Sequence, residues 1–310
     1  MSRDQSSLER PVGRLSADRS PAGCALRAQL RGEQLLGTAF PAARLLLVEQ
    51  PGPWGRDGLR TSRFDPDVAT ALERRARAEG LRLQAIRRPG RSPSGVERRW
   101  AVVDCRDGQE SLRWGTFGAD AELLELAWDA SSGPADHEPL YLVCTHGKHD
   151  ACCASRGRPV AAAIERARPG RVFESSHLGG HRFAANVLVL PAGLLYGRVL
   201  PVAAPEFVAA AEADEVVAPL LRGRVGLVPA AQAALAFAYE HLGLRSRTAV
   251  HVVSASAVVD GLATVRLAGP NGLLQITVAV EQVPAAGLSC ADPGADHYLR
   301  HRPVRIEAVA

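Results

Sequence analysis

Between Cys144 and Asn186 the chain concentrates side chains able to bind a soft or borderline metal: Cys144, His146, His149, Asp150, Cys152 and Cys153, then His177 and His181. Thiolates at Cys144 and Cys153 are separated by eight residues, and imidazoles at His177 and His181 by three. Two thiolates and two imidazoles suit zinc, or a 2Fe-2S cluster with one iron on each ligand type. Structural zinc loops usually space paired cysteines by two to four residues, so a gap of eight weighs against zinc. The His-Leu-Gly-Gly-His segment reads as a loop that wraps a metal, because each interior glycine costs a helix roughly 1 kcal/mol relative to Ala. It is not the helical pair of a zinc protease, which would carry Glu where Leu178 stands. The vicinal pair Cys152-Cys153 raises a thiol-redox alternative, but the chain has no Cys-x-x-Cys and neighbouring cysteines pair poorly.

The elements that must position these residues follow from apolar patterning and turn signals. Arg44 to Glu49 reads as a buried strand, and a helix follows with Asp65 as N-cap, Pro66 at its first position, Val68, Leu72 and Ala76 on its apolar face, and Gly80 at its end. Leu81 to Ile86, Arg99 to Asp104 and Leu112 to Phe117 read as strands, the last two a hairpin across Asp107-Gly108, and Asp120 to Trp128 as a closing helix. The order then recurs: strand Leu140 to Cys144, helix Pro159 to Arg168, strand Arg171 to Ser175, a hairpin of Phe183 to Leu190 with Leu194 to Leu200, and a helix from Pro205. Strand, helix, three strands, helix is the order of a thioredoxin-like unit. The expectation is an α/β protein of tandem thioredoxin-like units, the first (23-135) degenerate, with Glu49 where the second (136-215) has Cys144. The remainder, 216-310, reads as the Ala-rich helix Pro229 to Leu242 and a β-rich region with an Asn271-Gly272 hairpin.

In such a fold the loop after the first strand, holding Cys144 and Cys153, lies beside the loop before the hairpin, holding His177 and His181. Four ligands can converge from two adjacent loops. His146 and Asp150 read as loop-shaping hydrogen-bond partners and His149 as a solvated loop residue. Cys290, alone between Ser289 and Ala291, reads as a packed small residue.

Composition bounds the rest. The chain has 310 residues, 46% of them hydrophobic, and no apolar run near the roughly 20 residues of a membrane span. A net charge of +4 and 5% aromatic residues give neither a basic nucleic-acid face nor a stacking platform. Met1 to Ala22, rich in Ser, Arg, Asp and Pro without an apolar core, reads as a disordered, solvated tail and not a signal peptide. The expected location is cytoplasmic, where three cysteines within ten residues point to ligand or redox chemistry over disulfides.

The ligand segment resembles the sucrase/ferredoxin-like family, whose pattern is Cys-x-His-x-x-x-Asp-x-x-Cys followed by His-x-Gly-Gly-His-x-x-Ala-x-Asn. Here it is met by Cys144, His146, Asp150, Cys153, His177, Gly179, Gly180, His181, Ala184 and Asn186, with the resemblance extending over roughly residues 20 to 215. The resemblance implies a thioredoxin-like ferredoxin whose 2Fe-2S cluster is held by Cys144, Cys153, His177 and His181. Cys152, His146, Asp150 and Asn186 are then candidates for the surrounding shell, with Cys152 as a possible substitute ligand. It also implies electron donor and acceptor proteins as partners, which a basic rim of Lys148, Arg156, Arg158 and Arg182 could steer. Replacing two thiolates by neutral imidazoles removes negative charge from the cluster and raises its potential; His-ligated Rieske centres span roughly -150 to +300 mV against about -400 mV for plant-type ferredoxins. The family's sucrose label would require two carboxylates placed roughly 5 to 9.5 Å apart. No such pair stands out, so the expectation is a redox carrier more than an enzyme, with a structural zinc protein as the alternative.

Overall fold

The computed structural model describes residues 23-90, 97-129, 133-292 and 294-309; Met1 to Ala22, read above as a tail, lies outside them. After helix α1 (Cys24–Leu30), the first half runs β1 (Arg44–Glu49), α2 (Pro66–Ala78), β2 (Leu81–Arg87), β3 (Arg98–Asp104), β4 (Ser111–Phe117) and β5 (Ala135–Asp136). The second half runs β6 (Leu140–Cys144), α3 (Ala151–Ala167), β7 (Val172–Ser175), β8 (Val187–Leu190), β9 (Leu194–Tyr196) and α4 (Ala204–Glu212), followed by β10 (Leu221–Arg224) and α5 (Pro229–Leu242). Strands β11 (His251–Ala255), β12 (Leu262–Gly269), β13 (Gly272–Ala286) and β14 (Ala295–Val309) form a separate four-stranded antiparallel sheet.

The remaining strands make one ten-stranded mixed sheet in the order β10-β9-β8-β6-β7-β2-β1-β3-β4-β5. The two halves pair alike. In each, the first two strands are parallel (β1 with β2, β6 with β7), and the first is flanked on its other side by an antiparallel hairpin (β3-β4, β8-β9). The halves join where β2 and β7 pair antiparallel through their last residues, Ile86 opposite Ser175 and Arg87 opposite Glu174. The C-terminal ends of both parallel pairs therefore converge on one seam.

Side chains alternate across this sheet with period two. Leu45, Leu47, Leu140, Leu142 and Cys144 share one buried face with Leu188, Leu190 and Leu195. Leu46 and Val48 pack on the other face against Leu72 and Ala76 of α2, while Tyr141 and Val143 pack with Val160 and Ile164 of α3. That second core continues through α5 into Val265, Leu267 and Ile276 of the small sheet, so the C-terminal region is held by apolar contact.

Two expected helices differ. Asp120 to Trp128 is only a 3-10 turn, Asp120–Leu124. The Arg75 guanidinium of α2 donates to the carbonyls of Leu124 and Leu126 at 2.6 and 2.8 Å and lies over the Trp128 ring, so the backbone is drawn outward where helical amides would close on it. Helix α3 begins at Ala151, eight residues before the expected Pro159, which puts Cys152 and Cys153 in its first turn and not in a loop. Asp150 is the true cap, its Oδ1 accepting from the Cys152 amide at 2.9 Å. Pro159 is interior; the carbonyl it leaves without an amide partner belongs to Ser155, an exposed residue where water can serve instead. The expected hairpin strands after Phe183 are also shorter, because His181–Phe183 is a 3-10 turn and β8 starts only at Val187.

Candidate metal centre

Cys144 ends β6, and His177 stands two residues beyond the end of β7, whose Ser175 is in register with Cys144. Cys153 rises from the first turn of α3 beside them. The Sγ atoms of Cys144 and Cys153 and a ring nitrogen of His177 all lie within 4.8 Å of one another. His177 Nδ1 is 4.0 Å from Cys144 Sγ and 3.7 Å from Cys153 Sγ. Both thiols are fully buried. Cys144 accepts hydrogen bonds from Cys153 and His177, which pull its pKa well below the ordinary thiol value, while Cys153, donating to it, is pushed up. One thiolate with a second thiol and an imidazole around it is a donor set for a soft or borderline cation.

The close approach of α3 to β6 depends on Gly157. A Cβ there would sit 2.0 Å from the Cys144 carbonyl oxygen, so only glycine lets the helix bring Cys153 to Cys144. The histidine loop is likewise set by its glycines. Gly179 and Gly180 have φ of 81° and 63°, a left-handed pair that turns His177 and His181 toward the same side, their rings stacked with centroids 5.5 Å apart.

That loop is clamped from beneath by Arg222 of β10, which is 1% exposed. Its guanidinium donates to the Gly179 carbonyl and to Asn186 Oδ1, both at 2.9 Å, to Thr38 Oγ1 at 3.0 Å, and to the Thr38 carbonyl. Burial lowers the Arg222 pKa to about 9, which leaves it charged at neutral pH. Asn186 completes the clamp: its Nδ2 donates to the Gly180 carbonyl at 3.0 Å, and its own carbonyl accepts from the Cys144 amide at 3.0 Å.

The first half supports the site from across the seam. Arg82 Nη2 donates to the His177 carbonyl at 3.0 Å, and Gln84 Nε2 to Ser175 Oγ and Ser176 Oγ at 2.9 and 2.6 Å. His146 Nε2 is 2.6 Å from the Gly55 carbonyl, and its ring meets Trp54 edge-on. Glu49, at the place equivalent to Cys144, is paired with Arg88 at 3.1 Å and accepts from the Arg99 amide. The half without a donor group thus supports the half that has one.

A second group lies against the first. Cys24 of α1, Asp150 and Cys152 at the start of α3, and Cys290 from the β13-β14 connection have donor atoms all within 4.8 Å of one another. Cys152 Sγ is 3.4 Å from Cys290 Sγ, and Cys24 Sγ is 3.6 and 3.7 Å from the Asp150 oxygens. Cys152 accepts from the Cys24 thiol, which lowers its pKa to about 6, and Cys24 is correspondingly pushed up. Burial raises the Asp150 carboxyl, but the amides of Cys290 and Cys152 outweigh it and hold the group below the usual carboxylate value. His181 bridges the two groups: its Nδ1 is 3.4 Å from both Cys24 Sγ and Asp150 Oδ2.

Of the four expected ligands the structure brings Cys144, Cys153 and His177 together, and sets His181 beside them with Nδ1 engaged by Asp150 and Cys24. His181 is not part of the group whose donor atoms all lie within 4.8 Å of one another. His149 is not a solvated loop residue: its ring stacks on His177 with centroids 3.8 Å apart, and burial together with the His177 charge lowers its pKa to about 4. Cys290 is not simply packed in the core, since it faces Cys152 and its amide donates to Asp150 Oδ2 at 2.9 Å. Of the proposed rim, Arg182 is paired with Glu33 at 2.5 Å and Arg156 reaches Gln29 at 3.3 Å. Lys148 and Arg158 line an open cleft of about 510 Å3 with Trp54, Arg87 and His146. Among the described residues no helix is long and apolar enough to cross a membrane.

A family model described as sucrase/ferredoxin-like matches residues 35–223, well over half of the chain and both of its similarly paired halves. The chain belongs to the sucrase/ferredoxin-like family. The match begins after Cys24 and ends before the small sheet that carries Cys290, so it covers the first donor group entirely and the second only through Asp150 and Cys152. Comparison with curated proteins and with solved structures finds no match.

Proposed function

We propose that this sucrase/ferredoxin-like protein is an electron carrier whose 2Fe-2S cluster is held by Cys144, Cys153, His177 and His181. The single observation that supports it most is the convergence of two buried thiols and a histidine ring nitrogen at the C-terminal ends of parallel strands, inside the segment that the family model covers. The donor types fit the group chemically, two thiols and two imidazoles. Bound there, the cluster would supply one-electron transfer.

The chain's own residues do the rest. Arg222 and Asn186 hold the histidine loop against β6, Asp150 orients His181 through Nδ1, and His149 covers the face of His177. The pairing of each half, with its parallel pair flanked by a hairpin, supports the reading of tandem thioredoxin-like units at 23-135 and 136-215, the first degenerate, with 216-310 as an added C-terminal region. Lys148, Arg158 and Arg87 around the open cleft next to His146 give a basic surface for acidic redox partners, with the protein placed in the cytoplasm.

Iron, sulfide and zinc analysis of anaerobically purified protein, with its visible spectrum, tests the reading. The expected result is a red-brown protein with about two iron and two sulfide per chain. A colourless protein carrying zinc at this site after attempted cluster reconstitution would establish the structural zinc alternative instead.

A further inference from the structure

Cys24, Asp150, Cys152 and Cys290 come from three segments far apart in the chain, and two of them lie outside the family match. We propose that they form a second metal site, which binds one Zn2+ through three thiolates and the Asp150 carboxylate and clasps α1 and the β13-β14 connection to the start of α3. In a tetrahedral site with Zn–S of about 2.3 Å and Zn–O of about 2.1 Å, sulfurs stand about 3.8 Å apart and sulfur and oxygen about 3.6 Å. The observed 3.4 Å between Cys152 and Cys290 and 3.6 to 3.7 Å between Cys24 and Asp150 match that geometry within the adjustment of a side chain.

Three of the four donor residues are buried and Cys290 is half-buried. Cys24, Cys152 and Asp150 are 0%, 5% and 3% exposed. Cys290 Sγ and both Asp150 oxygens each have an amide aimed at them: Cys24 N–H at Cys290 Sγ (3.2 Å), Cys152 N–H at Asp150 Oδ1 (2.9 Å) and Cys290 N–H at Asp150 Oδ2 (2.9 Å). The positive end of the 17-residue helix α3 lies at the same place and favours the excess negative charge of three thiolates and a carboxylate. Gly23 leaves no room for a side chain, since a Cβ there would be 2.7 Å from Cys152 Sγ. The mixed sulfur and oxygen set favours zinc over cuprous ion, which prefers soft donors throughout. Four donor atoms all within 4.8 Å of one another fit the coordination sphere of one ion.

Around the site, α1 is already aligned on the connection: Arg27 donates to the carbonyls of Gly287 and Ser289 and Arg31 to that of Ala286, each at 3.1 Å. The ion would lock this contact. Through Asp150 and Cys24 it would also fix Nδ1 of His181, so the second site holds the far wall of the first.

The test is a difference in metal content and does not depend on what the first site carries. Full-length protein and its Cys290→Ser variant are purified anaerobically from zinc-supplemented culture and analysed by mass spectrometry for zinc and iron. The parent should carry one more zinc per chain than Cys290→Ser at equal iron, and Cys24→Ser should lose the same zinc. Co2+ exchanged into the parent should show thiolate-to-cobalt charge transfer of three-thiolate intensity, falling by about a third in Cys290→Ser. Equal zinc in parent and folded variants overturns the proposal. So does a Cys152–Cys290 disulfide in the anaerobic parent, found by intact mass and peptide mapping, which needs no variant to fold. Loss of the extra zinc in both variants, from a parent that carries no iron even after attempted cluster reconstitution, would refute the proposed function and leave the second site standing.

Discussion

Gly157→Ala tests whether the approach of α3 to β6 assembles the site. In an exposed helix interior the change would add roughly 1 kcal/mol of stability, the difference in helix propensity between the two residues. Here the added methyl would sit 2.0 Å from the Cys144 carbonyl oxygen and 3.1 Å from its carbon, whereas a carbon and a carbonyl oxygen normally approach to about 3.3 Å. The helix must therefore move by about an ångström or more. The atom it meets is backbone at the end of a central strand, which cannot swing aside as a side chain would. Overpacking of this kind costs about 1 to 3 kcal/mol, and the rigid neighbour places it near 3, so the net loss is about 2 kcal/mol. Cys153 lies one helical turn before Gly157 on the same face, and the displacement carries its sulfur away from Cys144 and His177. Urea unfolding followed by far-ultraviolet circular dichroism, together with metal content per chain, reads both effects. The exposed Ser155→Ala on the same helix is the control and should stay within about 0.5 kcal/mol of the parent. A Gly157→Ala protein about 1 kcal/mol more stable than the parent, with unchanged metal content, would refute the reasoning.

Cys153→Ser should abolish or gravely weaken metal binding at the first site while Cys152→Ser leaves most of it, because only Cys153 shares the group of Cys144 and His177; metal analysis showing the reverse would reassign the ligand. Arg222→Met should destabilise the protein by about 3 to 5 kcal/mol, since it strands buried carbonyl acceptors in the histidine loop and at Thr38, and should weaken metal retention against a chelator about 10- to 100-fold; unchanged retention would show that the clamp is dispensable. If His177 ligates through the Nδ1 that faces the two sulfurs, its Nε2 keeps a proton whose pKa rises on reduction, and the potential should fall by about 59 mV per pH unit between the oxidised and reduced pKa values; voltammetry showing a flat potential from about pH 5 to 10 would argue against solvent-accessible histidine ligands.

The strands carrying the site were legible because each is an uninterrupted apolar run with its own turn signal: Leu140 to Cys144 and Leu45 to Val48 could be buried only in a sheet covered on both faces. The start of α3 was not, because Pro159 is a stronger local signal than Asp150, and nothing local shows that Pro159 faces its orphaned carbonyl to water. Arg222 was invisible for a different reason. It lies 36 residues from Asn186 and 184 from Thr38, and a lone arginine in Leu-Arg-Gly-Arg looks like a solvated charge until the sheet order places β10 beside the histidine loop. Cys24 and Cys290 are the extreme case: 266 residues separate them, and each alone is a small apolar residue. Spacing within a segment exposes candidate donors that share a loop, as with His177 and His181, but it carries no trace of a group whose donors come from α1, α3 and the β13-β14 connection. A metal held by Cys24, Asp150, Cys152 and Cys290 would join α1 and the β13-β14 connection to α3, so it should stabilise the docked C-terminal region more than the sheet that holds Cys144.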